Sequence, residues 1–271
     1  MKTIRDFLKL AIFLTFVLIF ILNWPVKADQ KNFSNSSAKE VPEKDGVYDD
    51  PEHPGVKVRV FVHRTKPEKP GRLPTPTPKL TCGLDDPQSS AVVSTGPWIL
   101  PVQWKYNLNP SSVPSSVGSE NLAIMAANDF ESWSKATGNK IIFTRDKDTN
   151  VSRQSLDGIN LIAWGRTSSS ALAVTYIRYY PENGLVIDID TIMNRKFPWN
   201  WSGGSTNCAY ENYYDAEDIL THELGHWIGL GDEYDNLYAN NTMYGYGSMT
   251  ETKKISLTHG DEEAAYSIYN H

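Results

Sequence analysis

The sequence has few cysteines, a single long apolar run and no long basic run. Its 271 residues contain two cysteines, Cys82 and Cys208, and its formal net charge is -6 at pH 7. An acidic chain without a basic run is poorly suited to bind nucleic acid or an anionic membrane surface. We therefore expect neither partner, and no internal repeat is apparent.

The long apolar run lies near the start of the chain. Leu10 to Leu22 follows three basic residues and precedes Val26-Lys27-Ala28, which offers small residues where a signal peptidase reads them. A membrane-spanning helix needs about 20 apolar residues, more than this run supplies. The pattern predicts a signal peptide over residues 1–28 and a secreted or cell-surface protein without stable membrane insertion after cleavage. An uncleaved anchor is the second interpretation.

Two further regions follow the export signal. Residues 29–97 are predicted to be a leader or propeptide-like segment, with one strand over Val56 to Val62 and a proline-rich spacer over 67–78. His63 follows that strand, and we expect it to face solvent rather than to bind a metal. Residues 98–271 carry a globular pattern and are predicted to form the main domain. An even cysteine pair in an exported chain favours a disulfide.

The globular region mixes helical and strand patterns. A helix is predicted over about Ser119 to Thr137, and a last helix begins after Thr258, a cap residue. Asp188 and Asp190 alternate along a predicted strand, and we expect them on its wet face rather than at a cation site. The strands are predicted at Val102 to Leu108, Lys140 to Thr144, Gly158 to Trp164, Leu172 to Tyr179 and Leu185 to Met193.

The candidate metal-binding and catalytic residues lie in one short stretch, residues 221–232. His222 and His226 stand four residues apart, so a helix places both imidazoles on one face, where they can reach one metal ion. Glu223 lies where a general base can take a proton from zinc-bound water. Gly229 can end the helix and turn the chain, which brings Asp232 back as a third ligand. Asp215 is a predicted N-cap of this helix.

Other interpretations of this stretch stay open. Glu233 and Asp235 compete with Asp232 for the third position, and Glu251 would serve in a gluzincin arrangement. An ordinary amphipathic helix with two histidines is the plainest alternative. We prefer Asp232 because it alone has the expected six-residue offset from His226.

The chain resembles the metzincin zinc endopeptidases, most closely their matrixin-like branch, over about residues 98–271. Asp232 stands where most matrixins have histidine, and it resembles the ligand of the snapalysin-type branch. Thr242-Met243-Tyr244 resembles the methionine turn, although Gly245 replaces the tyrosine that astacins place two residues beyond it. The other matching stretches are Gln103-Trp104-Lys105-Tyr106, Trp133-Ser134, Leu161-Ile162-Ala163, Leu172-Ala173 with Ile187-Asp188-Ile189, and Leu257 to Tyr269.

The resemblance implies an α/β fold with a twisted sheet of about five strands, an active-site helix and a small C-terminal part. It implies a secreted zinc endopeptidase, in which His222, His226 and Asp232 bind Zn²⁺ and Glu223 is the general base. Protein or peptide substrates are the expected partners, and we expect a monomer. The sequence does not show whether structural Ca²⁺ binds. An exported binding or adhesion protein with a structural zinc is the alternative, and Cys82-Gly83 faintly resembles the matrixin cysteine switch.

Overall fold

The computed structural model describes residues 40–66, 77–168 and 170–270. The predicted signal peptide lies outside the described residues, as do the start of the leader and most of the proline-rich spacer. In the described part of the chain, no helix combines the length and the apolar character needed to cross a bilayer.

An eight-stranded mixed sheet forms the centre of the fold. Its strands are β1 (Gly46–Asp49), β2 (Lys57–Thr65), β4 (Gln103–Leu108), β5 (Ile142–Asp148), β6 (Leu161–Gly165), β7 (Ala171–Tyr179), β8 (Val186–Asn194) and β12 (Tyr246–Gly247). Seven of them lie in the order β1-β2-β7-β8-β6-β4-β5, and β12 pairs with the end of β2. The β1/β2, β2/β7 and β7/β8 pairs are antiparallel, whereas β8, β6, β4 and β5 run parallel.

Three α-helices accompany the sheet. Helix α1 spans Asn121–Ala136, α2 spans Ala216–Trp227 and α3 spans His259–Tyr269. The helix predicted over about Ser119 to Thr137 is confirmed, and its apolar residues are buried in the main core with those of α2: Leu122, Met125, Ala126, Phe130 and Trp133. The short elements are β3 (Leu80–Cys82), β9 (Trp199–Asn200), β10 (Cys208–Tyr210), β11 (Tyr214–Asp215) and 3-10 turns at Pro110–Ser112, Asn236–Tyr238 and Lys253–Ile255.

The mixed α/β class is confirmed, but the sheet has eight strands where the sequence indicated about five. The additional strands are β1 and β2, from the predicted leader, and β12, from the segment after the metal motif. Strand β2 joins because its side chains are apolar on both faces. Its valines pack on one side of the sheet and Phe61 packs into the main core on the other.

The predicted disulfide is confirmed. Strands β3 and β10 pair in antiparallel register with Cys82 opposite Cys208, and the two sulfurs are bonded at 2.05 Å. The bond ties the end of the predicted leader to the loop before α2. Since the sulfur of Cys82 is bonded to Cys208, it is not a free thiolate that could bind a metal.

The expectation that Asp188 and Asp190 face solvent is wrong. Both carboxylates are buried, and both accept hydrogen bonds from Nη1 of Arg178, at 2.9 and 3.2 Å. Asp50 accepts from Nε of the same arginine at 3.1 Å. A buried guanidinium with several donors can satisfy more than one buried carboxylate, which the alternating sequence pattern does not reveal.

Candidate metal centre

Helix α2 carries the predicted histidines and is buried along its whole length. Asp215 caps its first turn, because its Oδ1 accepts from the backbone nitrogens of Glu217 at 2.9 Å and Asp218 at 3.2 Å. The predicted N-cap is therefore confirmed. The helix places His222 and His226 one turn apart, with their ring centroids 4.8 Å from each other.

Gly229 turns the chain after α2. Its φ is +115°, in the region that favours glycine, and a Cβ there would lie 3.2 Å from the carbonyl oxygen of Trp98. The nitrogen of Leu230 donates to the carbonyl oxygen of Gly225 at 3.1 Å, which closes the turn. The chain then reverses toward the histidines, as the sequence predicted.

Three side chains meet at one point. Oδ1 of Asp232 lies 3.0 Å from Nε2 of His222 and 3.5 Å from Nε2 of His226. Zinc bonds of about 2.0–2.1 Å in a tetrahedral site separate neighbouring ligand atoms by about 3.3 Å. The observed distances lie on either side of that value, so the three groups fit one zinc ion.

The second ring nitrogens fix how the histidines are protonated. Nδ1 of His222 lies 2.7 Å from the carbonyl oxygen of Thr242, and Nδ1 of His226 lies 2.9 Å from that of Leu230. A carbonyl oxygen only accepts, so each Nδ1 carries a hydrogen, and Nε2 is the ring nitrogen that faces Asp232 and could bind a metal ion. Nε2 of His226 is buried and has no hydrogen-bond partner among the described residues. A cation would satisfy it.

Glu223 lies beside His222, and these two residues form with His63 a second group whose ligand atoms lie within 4.8 Å of one another. Its Oε2 accepts from the hydroxyl of Thr175 at 2.5 Å, and Thr175 in turn lies 2.7 Å from the hydroxyl of Thr191. Its Oε1 is buried without a hydrogen-bond partner in the described part of the chain. Burial raises the pKa of Glu223 to about 7, although His226 and Thr175 act in the opposite direction.

The histidines also shift the acidity of the third ligand. Burial raises the pKa of Asp232, but His226 and His222 outweigh it and hold that pKa well below its usual range. Oδ2 of Asp232 accepts a hydrogen bond from the hydroxyl of Tyr234 at 3.2 Å. The carboxylate is therefore charged, oriented and largely removed from water.

The competing acids have other partners. Oε1 of Glu233 accepts from the backbone nitrogen of Ser94 at 2.7 Å, and Asp235 caps the 3-10 turn at Asn236–Tyr238. Glu251 forms a buried ion pair with Lys254. Of the four candidate acids, the structure places Asp232 with the two histidines.

Met243 lies beneath the histidine helix. It is fully buried, and a Cβ added at Gly225 would lie 2.3 Å from its sulfur. The backbone around it is held by α3, because the carboxylate of Asp261 accepts from the nitrogens of Thr242 at 2.9 Å and Met243 at 3.3 Å. This contact fixes the carbonyl that orients His222.

The expectation that His63 faces solvent is wrong. It is fully buried rather than exposed, and its ring centroid lies 4.0 Å from that of His222. Its Nδ1 is 3.3 Å from Oε1 of Glu223, and neither of its ring nitrogens makes a hydrogen bond among the described residues. The valine-rich strand that precedes His63 in the sequence is the signal that could have indicated its burial, whereas no metal-ligand spacing includes it.

No protein-family model matches the chain. No curated protein matches it either.

Proposed function

We propose that this chain is a zinc-dependent endopeptidase of metzincin type. The observation that carries the proposal is the meeting of His222, His226 and Asp232 at one point, with a free oxygen of Glu223 beside them. Three protein ligands leave a zinc position for water or substrate, which is the arrangement of catalytic rather than structural zinc.

The donor set fits zinc on chemical grounds. Two neutral imidazoles and one carboxylate form a common ligand set for this ion, and the buried, unpartnered Nε2 of His226 needs a cation or a donor. Bound zinc would polarise the scissile carbonyl and make a water molecule more acidic. His222 and His226 would hold their tautomers through the carbonyls of Thr242 and Leu230.

Glu223 would move the proton. Thr175 fixes Oε2 by a hydrogen bond, which leaves Oε1 as the oxygen that can accept a proton from attacking water. Glu223 would then donate that proton to the amine nitrogen as the carbon–nitrogen bond breaks, and so act in turn as base and acid. Thr175 orients this carboxylate without touching the reacting atoms.

Several features outside the motif support the metzincin assignment. Strands β4 to β8, from the region of the resemblance, are five consecutive strands that form one contiguous part of the sheet. Met243 lies against the histidine helix, as the methionine of the family turn is expected to do. We further propose that the protein is exported, monomeric, and acts on proteins or peptides.

One observation favours the structural-zinc alternative. His222, Glu223 and His226 are all fully buried, so the described arrangement gives a substrate no access to them. A binding or adhesion protein with a structural zinc ion would have such a closed site. Oε1 of Glu223 accepts no hydrogen bond among the described residues, which supports the enzyme, because a general base needs an oxygen available to a water molecule.

The experiment compares hydrolysis of denatured casein and of mixed fluorogenic peptides by the zinc-loaded chain and its Glu223→Ala variant. We expect hydrolysis that phenanthroline abolishes and that Glu223→Ala lacks, while the variant still binds zinc. Equal hydrolysis by the variant would contradict the mechanism. Absence of hydrolysis from the zinc-loaded wild-type chain would contradict the function.

A further inference from the structure

A cavity of about 500 Å³ opens on the face of the sheet that is turned away from the metal centre. Tyr176 of β7 and Ile192 of β8 line it. Their neighbours in sequence, Thr175 and Thr191, point to the other face, where Thr175 holds Glu223. The cavity has a volume that proteins use for small organic ligands, and it shares no residue with the metal centre.

The lining of the cavity carries charges of both signs. Glu40 and Glu43 supply carboxylates from the segment 40–43, and Arg153 and Arg166 supply guanidiniums from the two ends of β6. Neither arginine forms an ion pair or a hydrogen bond with another residue in the described part of the chain. The opposite charges therefore line the same cavity without neutralising each other.

The acidic side of the cavity is held in place by packing and by a hydrogen bond. Val41 is buried and belongs to the smaller hydrophobic core together with Tyr176. The carboxylate of Glu43 accepts a hydrogen bond from the backbone nitrogen of Ser168, in the connection between β6 and β7. The segment 40–43 is thus fixed against the sheet, and the cavity keeps its shape without a ligand.

Two further hydrogen-bond donors line the cavity without a partner. Tyr176 is only 3% exposed, and its hydroxyl forms no hydrogen bond with any described residue. Burial raises the pKa of Tyr176 and Glu43 adds to the rise, so the hydroxyl keeps its hydrogen. Oε1 of Gln154 accepts from Nη2 of Arg178, which leaves the amide nitrogen of Gln154 as a free donor. A buried phenol normally has a hydrogen-bond partner, so the cavity offers a place for an acceptor group.

We propose that this cavity binds a short aliphatic peptide whose two termini are free. Arg153, Arg166 and the hydroxyl of Tyr176 would bind the carboxylate of the peptide, since guanidiniums bind carboxylates through paired hydrogen bonds. Glu40 and Glu43 would bind its ammonium group. A simple anion leaves the two glutamates without a counter-charge, and a simple cation leaves the two arginines without one, whereas a zwitterion matches both. The rest of the lining is largely apolar and would contact the side chains of the peptide: Val41, Pro42 and Ile192. This binding does not depend on the proposed hydrolysis.

The test is isothermal titration of the zinc-loaded full chain with the dipeptide Leu-Leu and with N-acetyl-Leu-Leu, which lacks the ammonium group. The double variant Arg153→Gln/Arg166→Gln removes both guanidiniums. Tyr176→Phe removes the hydroxyl and keeps the ring, and Glu40→Gln removes one carboxylate. All three variants should fold, because the charged side chains are exposed and phenylalanine preserves the packing of the tyrosine ring. Urea unfolding of each variant checks this.

We expect the wild-type chain to bind Leu-Leu more tightly than N-acetyl-Leu-Leu. The double arginine variant should bind Leu-Leu at least about tenfold more weakly than wild type, and Tyr176→Phe about threefold or more. Glu40→Gln should weaken the binding of Leu-Leu and leave that of N-acetyl-Leu-Leu unchanged. Arg145→Gln is the charge-matched control and should bind as wild type does, because Arg145 lies on β5, where it pairs with Asp148.

Three other results would overturn the proposal. If the wild-type chain binds no Leu-Leu at millimolar concentration, the cavity holds only solvent. If folded double arginine and Tyr176→Phe variants bind the dipeptide as wild type does, binding takes place elsewhere, for example at the metal centre. If Leu-Leu and N-acetyl-Leu-Leu bind equally well and Glu40→Gln weakens neither, the cavity selects an anion and not a zwitterion.

Discussion

Nδ1 of His222 donates a hydrogen bond to the carbonyl oxygen of Thr242, across 2.7 Å. The two residues belong to different parts of the fold, the buried helix α2 and the turn that carries Met243. The contact fixes the ring so that Nε2 faces Asp232. Thr242 is itself held by α3, through the Asp261 carboxylate. The orientation of this proposed metal ligand therefore depends on the N-terminal turn of the last helix.

Asp261→Asn should weaken zinc binding without removing a ligand. The carboxylate of Asp261 accepts hydrogen bonds on both oxygens, from the backbone nitrogens of Thr242 and Met243 and from the hydroxyl of Thr258. The amide of asparagine has one accepting oxygen and cannot make all three. We expect a loss of about 10- to 100-fold in zinc affinity, which is typical of outer-sphere changes. Competitive zinc titration measures it. Glu262→Gln, one residue on and exposed, is the control, and an equal effect of both substitutions would contradict this role.

Gly225→Ala should destabilise the fold although alanine favours helices. The new Cβ would lie 2.3 Å from the sulfur of Met243 and 2.9 Å from Trp133. Overpacking typically costs about 1–3 kcal/mol, more than the roughly 1 kcal/mol that alanine contributes in a helix. Urea unfolding measures the difference. In the double variant Gly225→Ala/Met243→Ala, the loss of unfolding free energy should be smaller than the sum of the losses in the two single variants. If the two losses simply add, Met243 is not the side chain that the new Cβ contacts.

Replacing Cys82 and Cys208 by serine should lower the free energy of unfolding by about 2–5 kcal/mol. The bridge joins β3 to β10 across 126 residues of sequence. The replacement should not switch on hydrolysis, because no cysteine thiolate covers the metal centre. Denaturant unfolding and peptide hydrolysis are measured together. Activity gained through Cys82→Ser would instead favour a cysteine switch.

Asp215→Asn should change how stability depends on pH. Burial raises the pKa of Asp215 to about 6, with Glu217 adding to the rise, while hydrogen bonds from Asp218 and Ser202 oppose it. The folded state therefore holds a proton that the unfolded state releases between about pH 4 and 6, and this carboxyl stabilises the fold less as pH rises. Asparagine keeps a capping oxygen but does not titrate.

We therefore expect the unfolding free energy of wild type, relative to Asp215→Asn, to fall by roughly 2–3 kcal/mol between pH 4 and 6. Chemical denaturation of the two proteins at several pH values measures it. A difference that stays level across this range, or that rises with pH, would contradict the prediction.

The parts of the site that depend on local geometry could be predicted from sequence. The spacing of His222 and His226 places both side chains on one face of the helix. Asp215 caps the helix because the helix begins at the next residue. Gly229 lets the chain turn because its backbone can adopt a positive φ. Each of these effects acts within a few residues. The same local signals predicted that Asp232 lies with the two histidines, and they predicted α1 and α3 to within two residues at their first positions.

The parts of the site that depend on strand pairing could not be predicted from the sequence. Thr175 meets Glu223 across 48 residues of sequence, and His63 lies beside His222 because β2 adds to the edge of β7. A valine-rich strand with one histidine gives no sign of which edge it will join. The burial of Asp188 and Asp190 could not be predicted for a similar reason. Their partner Arg178 lies on a neighbouring strand, and the solvent-exposed face of a strand cannot be recognised before its neighbours are known.

The most direct measurement is zinc binding by the wild-type chain and by its Asp232→Ala, Glu223→Ala and Asp235→Ala variants, in a competitive titration. The account predicts one zinc per chain, a loss of at least about a hundredfold in affinity for Asp232→Ala, and near wild-type binding for the other two. Unchanged binding by Asp232→Ala, or loss of zinc from Glu223→Ala, would contradict the assignment of ligands and base.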